Sequence, residues 1–163
     1  MLLYACEVWD ISRLANIETA HLLACQRLLS VSDKTPNHMV YGEMGRYPLY
    51  IDNTVSSLRY WFKLIKMPMT RFPKQALIKL KNSLDTNTTR KNRNSAGGIN
   101  DCLESYSFHD GWTDGTVENG KGFLLVFKQR MIERFKREWF TKMSESDRFS
   151  TYFSFKAAHQ VEI

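Results

Sequence analysis

Apolar side chains return every three or four positions along most of this chain, which is the period of an amphipathic helix. One such stretch follows Pro48, and a longer one begins near Gly122. Proline suits the first turn of a helix, where its missing N–H has no helical partner in any case. We therefore predict long helices over residues 48–67 and 122–143. Their apolar stripes are Ile51, Val55, Leu58, Trp61, Phe62 and Ile65, and then Phe123, Phe127, Met131, Phe135 and Trp139, with Leu124 and Val126 widening the second.

Shorter helices are predicted from the same period and from the residues that start and stop helices. Thr35 is placed to cap a short helix with Pro36 at its first position, and that helix is expected to end where Gly42 and Gly45 bracket Glu43 and Met44. Pro68 and Pro73 separate the first long helix from the next one. A first helix over residues 14–29 would carry Leu14, Ile17, His21, Ala24 and Leu28 on one stripe, and the helix after Pro73 would carry Ala76, Leu77, Leu80 and Leu84.

Two more short helices complete the prediction near the C-terminus. One lies near residues 99–106, ahead of a Gly- and Asp-rich loop that cannot be helical over any length. The other follows Ser144 or Ser146 as its cap and carries Phe149, Tyr152, Phe153 and Phe155.

The expected fold class is all-α, an irregular helical assembly in two subdomains joined by a polar linker. Residues 85–98 form the predicted linker, because their only apolar side chain is Ala96 and turn-forming residues occur throughout. The subdomains are then residues 1–84 and 99–163. Strand signals are few, and only the opening LLYACEVW fits either a strand or a helix.

The positive charge is concentrated in one block. Residues 61–94 contain 9 Lys or Arg and 1 Asp or Glu, while residues 95–120 contain no Lys or Arg and 5 acidic residues. A basic block is the electrostatic pattern expected of a protein that binds a phosphate backbone. The alternative interpretation is a solvated helix face followed by a charged linker.

Composition narrows the class of protein further. A hydrophobic share of 43% is ordinary for a folded chain and argues against bulk disorder. Cys6, Cys25 and Cys102 are odd in number and widely spaced, which predicts reduced thiols in the nucleus or cytoplasm rather than secretion. MLLYAC lacks the features of a secretion signal, and no apolar run approaches the roughly 20 residues of a membrane span.

Several segments together suggest a family. The run TPNHMVYGEMGRYPL, followed by SLRYWFKLIKMP, resembles the region after the reverse-transcriptase domain of animal non-LTR (LINE-type) retrotransposons. The opening LLYACEVWD resembles the end of that polymerase region. CLESYSFHDGW, FLLVFKQRMIERFKREW and SDRFSTYFSFK resemble the family's C-terminal tail in the same order. The resemblance covers roughly residues 1–156 and implies a thumb-like segment over residues 1–84.

The residues that perform the family's chemistry are missing from this sequence. The family's catalytic signature includes two adjacent aspartates, and the chain has no Asp-Asp pair. A two-metal polymerase needs clustered carboxylates to hold Mg²⁺ at the attacking and leaving oxygens. We therefore expect a truncated C-terminal part of such a reverse transcriptase, without enzyme activity, catalytic residues or cofactors.

The expected function is non-sequence-specific binding of RNA, or of single-stranded or duplex DNA. Cations would track phosphates, while Trp61 and Phe62 are better interpreted as core residues, since they lie on the apolar stripe. By the same reasoning, the Phe123–Trp139 stripe is better interpreted as part of the core. The candidate binding residues are Arg59, Lys63, Lys66, Lys74, Lys79, Lys81, Arg90, Lys91, Arg93, Arg130, Arg134 and Arg137.

Other chemistry has little support in the sequence. His21 and Cys25 share a helix face, but no fourth zinc ligand accompanies them and His38, so no metal site is predicted. His109 has no nucleophile implied beside it, and Asp110 is better explained as a turn residue. The alternative function is a vestigial or protein-interaction helical domain. Self-association through an exposed aromatic stripe is also expected, because apolar patches that lack their partner tend to associate.

Overall fold

The structure is a computed structural model that describes residues 15–86, 95–108, 120–145 and 149–158. In these ranges the chain forms seven α-helices and no strand, which confirms the all-α class. The predictions for residues 1–8, for Leu14 on the stripe of the first helix, for a cap at Ser146, and for most of the Gly- and Asp-rich loop lie outside the described residues. The helices are α1 (Ala15–Leu28), α2 (Asn37–Met44), α3 (Leu49–Ile65), α4 (Phe72–Thr86), α5 (Ser95–Ser105), α6 (Gly120–Ser144) and α7 (Ser150–Ala158).

The two long helices, α3 and α6, pack against each other more extensively than any other pair in the described part of the chain. Their limits agree with the prediction to within two residues. Phe62 and Phe123 meet edge to face across this contact, with ring centroids 5.2 Å apart. Most side chains of the two predicted stripes therefore lie in the core or pack against it.

One core cluster takes residues from both sides of the predicted linker. It combines Leu58 and Trp61 of α3 and Leu77 of α4 with Leu103 of α5 and Phe127 of α6. The two segments thus share a core. Their division into two subdomains stays a prediction.

Both ends of the predicted linker are helical. α4 continues to Thr86 and α5 begins at Ser95, so four of the residues expected in the linker are the first turn of a helix. Ala96 is fully buried in the core, which explains why a helix is favoured there despite the neighbouring Gly97 and Gly98. Tertiary burial has overridden weak local propensity at this point.

A second, smaller cluster joins α1 and α2 through Leu22, Cys25, Val40 and Tyr41. Polar contacts tie it to the rest of the fold. The Tyr41 hydroxyl donates to a carboxylate oxygen of Glu18, whose other oxygen accepts from the backbone N–H of Tyr50 over 3.2 Å.

The stripe predicted for α1 is wrong in its C-terminal half. Leu28 is 76% exposed and Ala24 is exposed, whereas Leu22, Cys25 and Gln26 are buried. The buried face is the one that α2 covers, and a short helix with several apolar residues on more than one side does not determine this alone. Val126 of α6 is likewise exposed instead of widening the buried stripe, and Leu80 of α4 is exposed.

Helix ends follow the expected chemistry with small shifts. Gly45 adopts φ 58° and ends α2, as predicted. Pro36 has ψ 135°, so it precedes the first helical residue instead of occupying it, and no side chain caps α2. Ser144 lies inside α6, where its hydroxyl donates to the carbonyl oxygen of Thr141 at 3.1 Å, so it does not cap α7.

A tight turn after α5 sets the position of the Phe108 side chain. Ser107 adopts φ 61°, and the N–H of Phe108 donates back to the carbonyl of Leu103 over 2.9 Å. This bond satisfies a terminal carbonyl of the helix. It also directs the Phe108 ring onto Phe123 and Phe127, with centroids 5.1 Å and 5.3 Å apart.

No helix in the described part of the chain combines the length and the apolar composition needed to cross a membrane.

Candidate nucleic-acid interface

A row of three cations lies on one face at the C-terminal half of α3. Arg59, Lys63 and Lys66 are spaced by four and three positions, which places them one above the other on a helix. All three side chains are exposed. At 1.5 Å of rise per residue, the row is about 10 Å long, a length comparable to a few phosphates of a nucleic-acid strand.

No acidic residue interrupts this part of the chain. Residues 53–84 contain seven Lys or Arg and no Asp or Glu. Asp52, just before the segment, forms an ion pair with Lys128 of α6 at 2.7 Å. Within the described residues, no carboxylate forms an ion pair with Arg59, Lys63 or Lys66. The row therefore presents uncompensated positive charge to solvent.

The cations of α4 have different surroundings. The Lys74 ammonium donates to the carbonyl oxygen of Ile65 over 2.6 Å, so it caps the C-terminal end of α3. That carbonyl lies at the negative end of a helix, where a cation is stabilising. Lys81 lies over the indole ring of Trp61, 5.4 Å from its centroid. Lys79 is exposed on the same helix.

Trp61 and Phe62 are core residues, as the sequence indicated. Both are buried in the cluster that α3 forms with α4, α5 and α6. Neither ring is available to stack on a base from solvent.

The three predicted arginines of α6 also share one face, at positions 130, 134 and 137. The Arg130 guanidinium donates to the carbonyl oxygen of Tyr106 over 3.3 Å and lies 4.9 Å from the Phe108 ring centroid. Arg134 pairs with Glu138 at 3.0 Å and stands 5.2 Å from the ring of Tyr106. The hydrogen bond to Glu138 raises the pKa of Arg134. Arg130 and Arg134 therefore brace the end of α5.

These contacts leave an open groove of about 1280 Å³ between α6 and the end of α5. Its walls carry five cations and three glutamates, so its net charge is smaller than the number of cations suggests. The only member of the predicted trio not drawn into such a contact is Arg137, which is exposed on the wall. The groove is a weaker candidate for phosphate binding than the row on α3.

Burial also changes the pKa values of two titratable side chains near the end of α5. Desolvation raises the pKa of Cys102 to about 11 and raises the pKa of Tyr106. Both groups are therefore neutral at physiological pH and contribute no charge to the groove.

The structure brings the described candidate residues together in two groups, one on α3 and α4 and one on α6. Arg90, Lys91 and Arg93 lie outside the described residues. Three further side chains with the right chemistry were missed in the sequence, namely Met69, Arg71 and Phe72 in and after the turn between α3 and α4. The sequence contained a signal for Phe72, because a Phe between Pro68 and Pro73 cannot belong to the apolar stripe of α3 or of α6.

The expected self-association through an exposed aromatic stripe stays a prediction. The rings on the stripes of α3 and α6 are buried or partly buried, whereas Phe155 of the predicted last helix is exposed. Other large apolar side chains that are exposed in the described residues include Leu125, Val126 and Phe140.

No cluster of three or more His, Cys, Asp or Glu side chains that could hold a metal ion occurs in the described residues. The Cys25 sulfur lies 3.5 Å from Nε2 of His21, and Nδ1 of that ring is 3.6 Å from Glu18. Burial raises the pKa of the Cys25 thiol, which disfavours the thiolate that a metal or an electrophile requires. His109 lies outside the described residues.

Comparison with known proteins adds no relative. No protein-family model, no curated protein and no solved structure matches this chain.

Proposed function

We propose that this chain binds RNA and DNA through phosphate contacts, without sequence preference, as an accessory region of the kind that follows the polymerase domain of LINE-type retrotransposons. The observation that carries the proposal is the exposed row Arg59, Lys63 and Lys66, in a segment of 32 residues without a carboxylate. The family part of the proposal is supported by the sequence resemblance alone.

The arrangement of the cations supports contacts to the phosphate backbone of a nucleic acid and not recognition of its bases. The side chains of the row project from a helix whose opposite face is buried in the core. Cations on a rigid helix neutralise phosphates at a fixed spacing, but they carry no sequence information unless they reach base edges. Binding should therefore be similar for different sequences and strongly dependent on salt.

No polymerase or nuclease chemistry forms part of the proposal, because the sequence contains no adjacent aspartates. We propose a location in the nucleus or cytoplasm, where nucleic acid is available and thiols stay reduced.

The test is a salt titration of binding to a labelled 20-nucleotide RNA and to DNA of the same length. The variant Lys63→Gln, Lys66→Gln, Arg71→Gln removes three exposed cations without touching Lys74, which caps α3. We expect weaker binding, and a slope of log affinity against log salt that is smaller by about 2, since each lost phosphate contact removes roughly 0.7 to 0.9.

A matched control removes the same charge elsewhere. Arg27→Gln, Lys34→Gln, Arg46→Gln alters three exposed cations in and near α1 and α2. This variant should keep the parent's slope. Equal effects of the two variants would show only a general response to net charge, and the proposed interface would be wrong.

A protein-interaction domain is a second candidate, favoured by the exposed apolar side chains Leu125, Val126 and Phe140 on α6. Single apolar residues on a surface are ordinary, whereas a contiguous patch marks an interaction site. This function would be preferred if the parent chain bound no nucleic acid at low salt.

A further inference from the structure

The turn between α3 and α4 displays two apolar side chains among cations. Phe72 is 80% exposed and Met69 is 63% exposed. Arg71 and Lys66 are exposed beside them, and Pro68 and Pro73 flank the turn. A phenylalanine in this setting is unusual, because an aromatic side chain normally contributes most of its surface to a core.

Hydrogen bonds hold this turn in one conformation. The Lys74 ammonium closes it from α4 onto the carbonyl of Ile65, and the Gln75 side-chain amide donates to the carbonyl of Met69 over 3.2 Å. The N–H of Arg71 donates to the carbonyl of Pro68 over 3.0 Å. Phe72 is the first residue of α4 and directly follows this hydrogen-bonded turn, so its exposed ring projects from an ordered backbone.

Along the chain, the exposed ring follows the end of the basic row. Lys66 ends the row where α3 stops, and Arg71 directly precedes Phe72. A strand whose phosphates follow Arg59, Lys63 and Lys66 would reach the turn with its next nucleotide. Bases of a single strand are free to stack on such a ring, whereas paired bases in a duplex are already stacked on one another.

We propose that Phe72 is a stacking platform for an unpaired base, so that this interface prefers single-stranded RNA or DNA over duplex. The inference rests on the proposed function. A membrane surface is a poorer fit, because the apolar stripe of α3 faces the core, and the large apolar side chains exposed on the turn and the described part of α4 are limited to Met69, Phe72 and Leu80. Interfacial helices instead present a whole apolar face to lipid.

The test compares Phe72→Leu with the parent chain, since leucine keeps the apolar character and removes the ring. Stacking of one base is worth an affinity change of roughly 5-fold or more. We expect that loss for a 20-nucleotide oligo(A) strand and no loss for a duplex of equal length. The salt slope should stay unchanged, because no cation is removed. Phe72→Trp should bind the single strand at least as well as the parent.

Two controls isolate the ring from general effects. Phe155→Leu removes another exposed ring, on α7, and should leave both affinities as in the parent. An oligo(A) strand with abasic positions keeps the phosphates and removes bases, so the parent should bind it with about the affinity that Phe72→Leu shows for the intact strand.

The possible failures are distinguishable. If Phe72→Leu binds the single strand as well as the parent while the Lys63, Lys66 and Arg71 variant is weakened, the stacking platform is wrong and the phosphate interface stands. If the parent binds neither strand nor duplex, both proposals are overturned. If Phe72→Leu changes only binding to vesicles containing phosphatidylserine, the turn contacts lipid and the inference is wrong.

Discussion

At Gly42, three helices approach so closely that a side chain at this position would be crowded. A Cβ atom here would lie 3.0 Å from the Tyr152 hydroxyl oxygen of α7 and 3.2 Å from Cζ2 of Trp139 of α6. Trp139 is itself held, because its indole N–H donates to the carbonyl of His38 over 2.7 Å. The neighbours therefore have little freedom to move aside.

We expect Gly42→Ala to destabilise the fold by about 1–3 kcal/mol, the usual cost of adding a methyl group to a closely packed site. The gain in helix propensity from Ala, up to about 1 kcal/mol, would offset part of this cost. The measurement is the free energy of unfolding in urea.

Gly45 provides the comparison within the same helix. Its φ is 58°, yet no atom lies within 4 Å of the position of an added Cβ. Gly45→Ala should therefore cost about 1–2 kcal/mol through backbone strain alone. Gly45→Asn should cost less, since Asn tolerates this conformation, whereas Gly42→Asn should cost more than Gly42→Ala. The opposite order at either position would refute the distinction.

At the scale of the element, α6 shows how one helix serves both core and surface. Its buried residues are Leu124, Phe127, Met131, Trp139 and Met143, and its other faces carry charges and exposed apolar side chains. Positions two residues apart therefore differ greatly, with Phe127 fully buried and Leu125 71% exposed.

Phe127→Ala should lower the free energy of unfolding by about 3–5 kcal/mol, because the lost ring contacts and the cavity both contribute. Leu125→Ala should change it by less than about 0.5 kcal/mol, as surface substitutions usually do. Chemical denaturation of the two variants tests this directly. Comparable losses would mean that Leu125 is covered by another molecule or that α6 is rotated.

At the scale of the whole molecule, α5 connects the segments on either side of the predicted linker. Leu103 of α5 is fully buried in the cluster that also holds Leu58 of α3 and Phe127 of α6. A residue in a shared core stabilises every helix that contributes to it, so the segments should unfold together.

Leu103→Ala should cost about 2–5 kcal/mol and should reduce amide-exchange protection in α3 and α6 alike. Thermal unfolding should remain one transition at a lower midpoint. Protection that is lost in α5 and α6 while α3 stays protected would instead support two independent subdomains.

Local pattern was sufficient for most of the helices. The limits of α3 and α6, the end of α2 at Gly45 and the break between Pro68 and Pro73 depend on periodicity and on backbone chemistry within a few residues. The burial of Trp61 and Phe62 also followed from their place on a stripe. For the candidate site, the sequence identified the cations of α3 because charge and helical spacing are themselves local properties.

Only the tertiary structure decided which surfaces and contacts these helices use. The buried face of α1 depends on α2, and the helix at Ala96 depends on a core formed by residues distant in the chain. In the sequence Lys74 and Arg130 resemble any other basic residues. Lys74 caps α3 only because the end of that helix lies beside it, and Arg130 binds the carbonyl of Tyr106 only because that turn lies within reach. Phe72 is exposed because two helices turn their apolar faces away from it. Such properties arise from contacts between residues far apart in sequence, such as His38 and Trp139. A local sequence pattern cannot predict them, because it does not determine which distant residues come into contact.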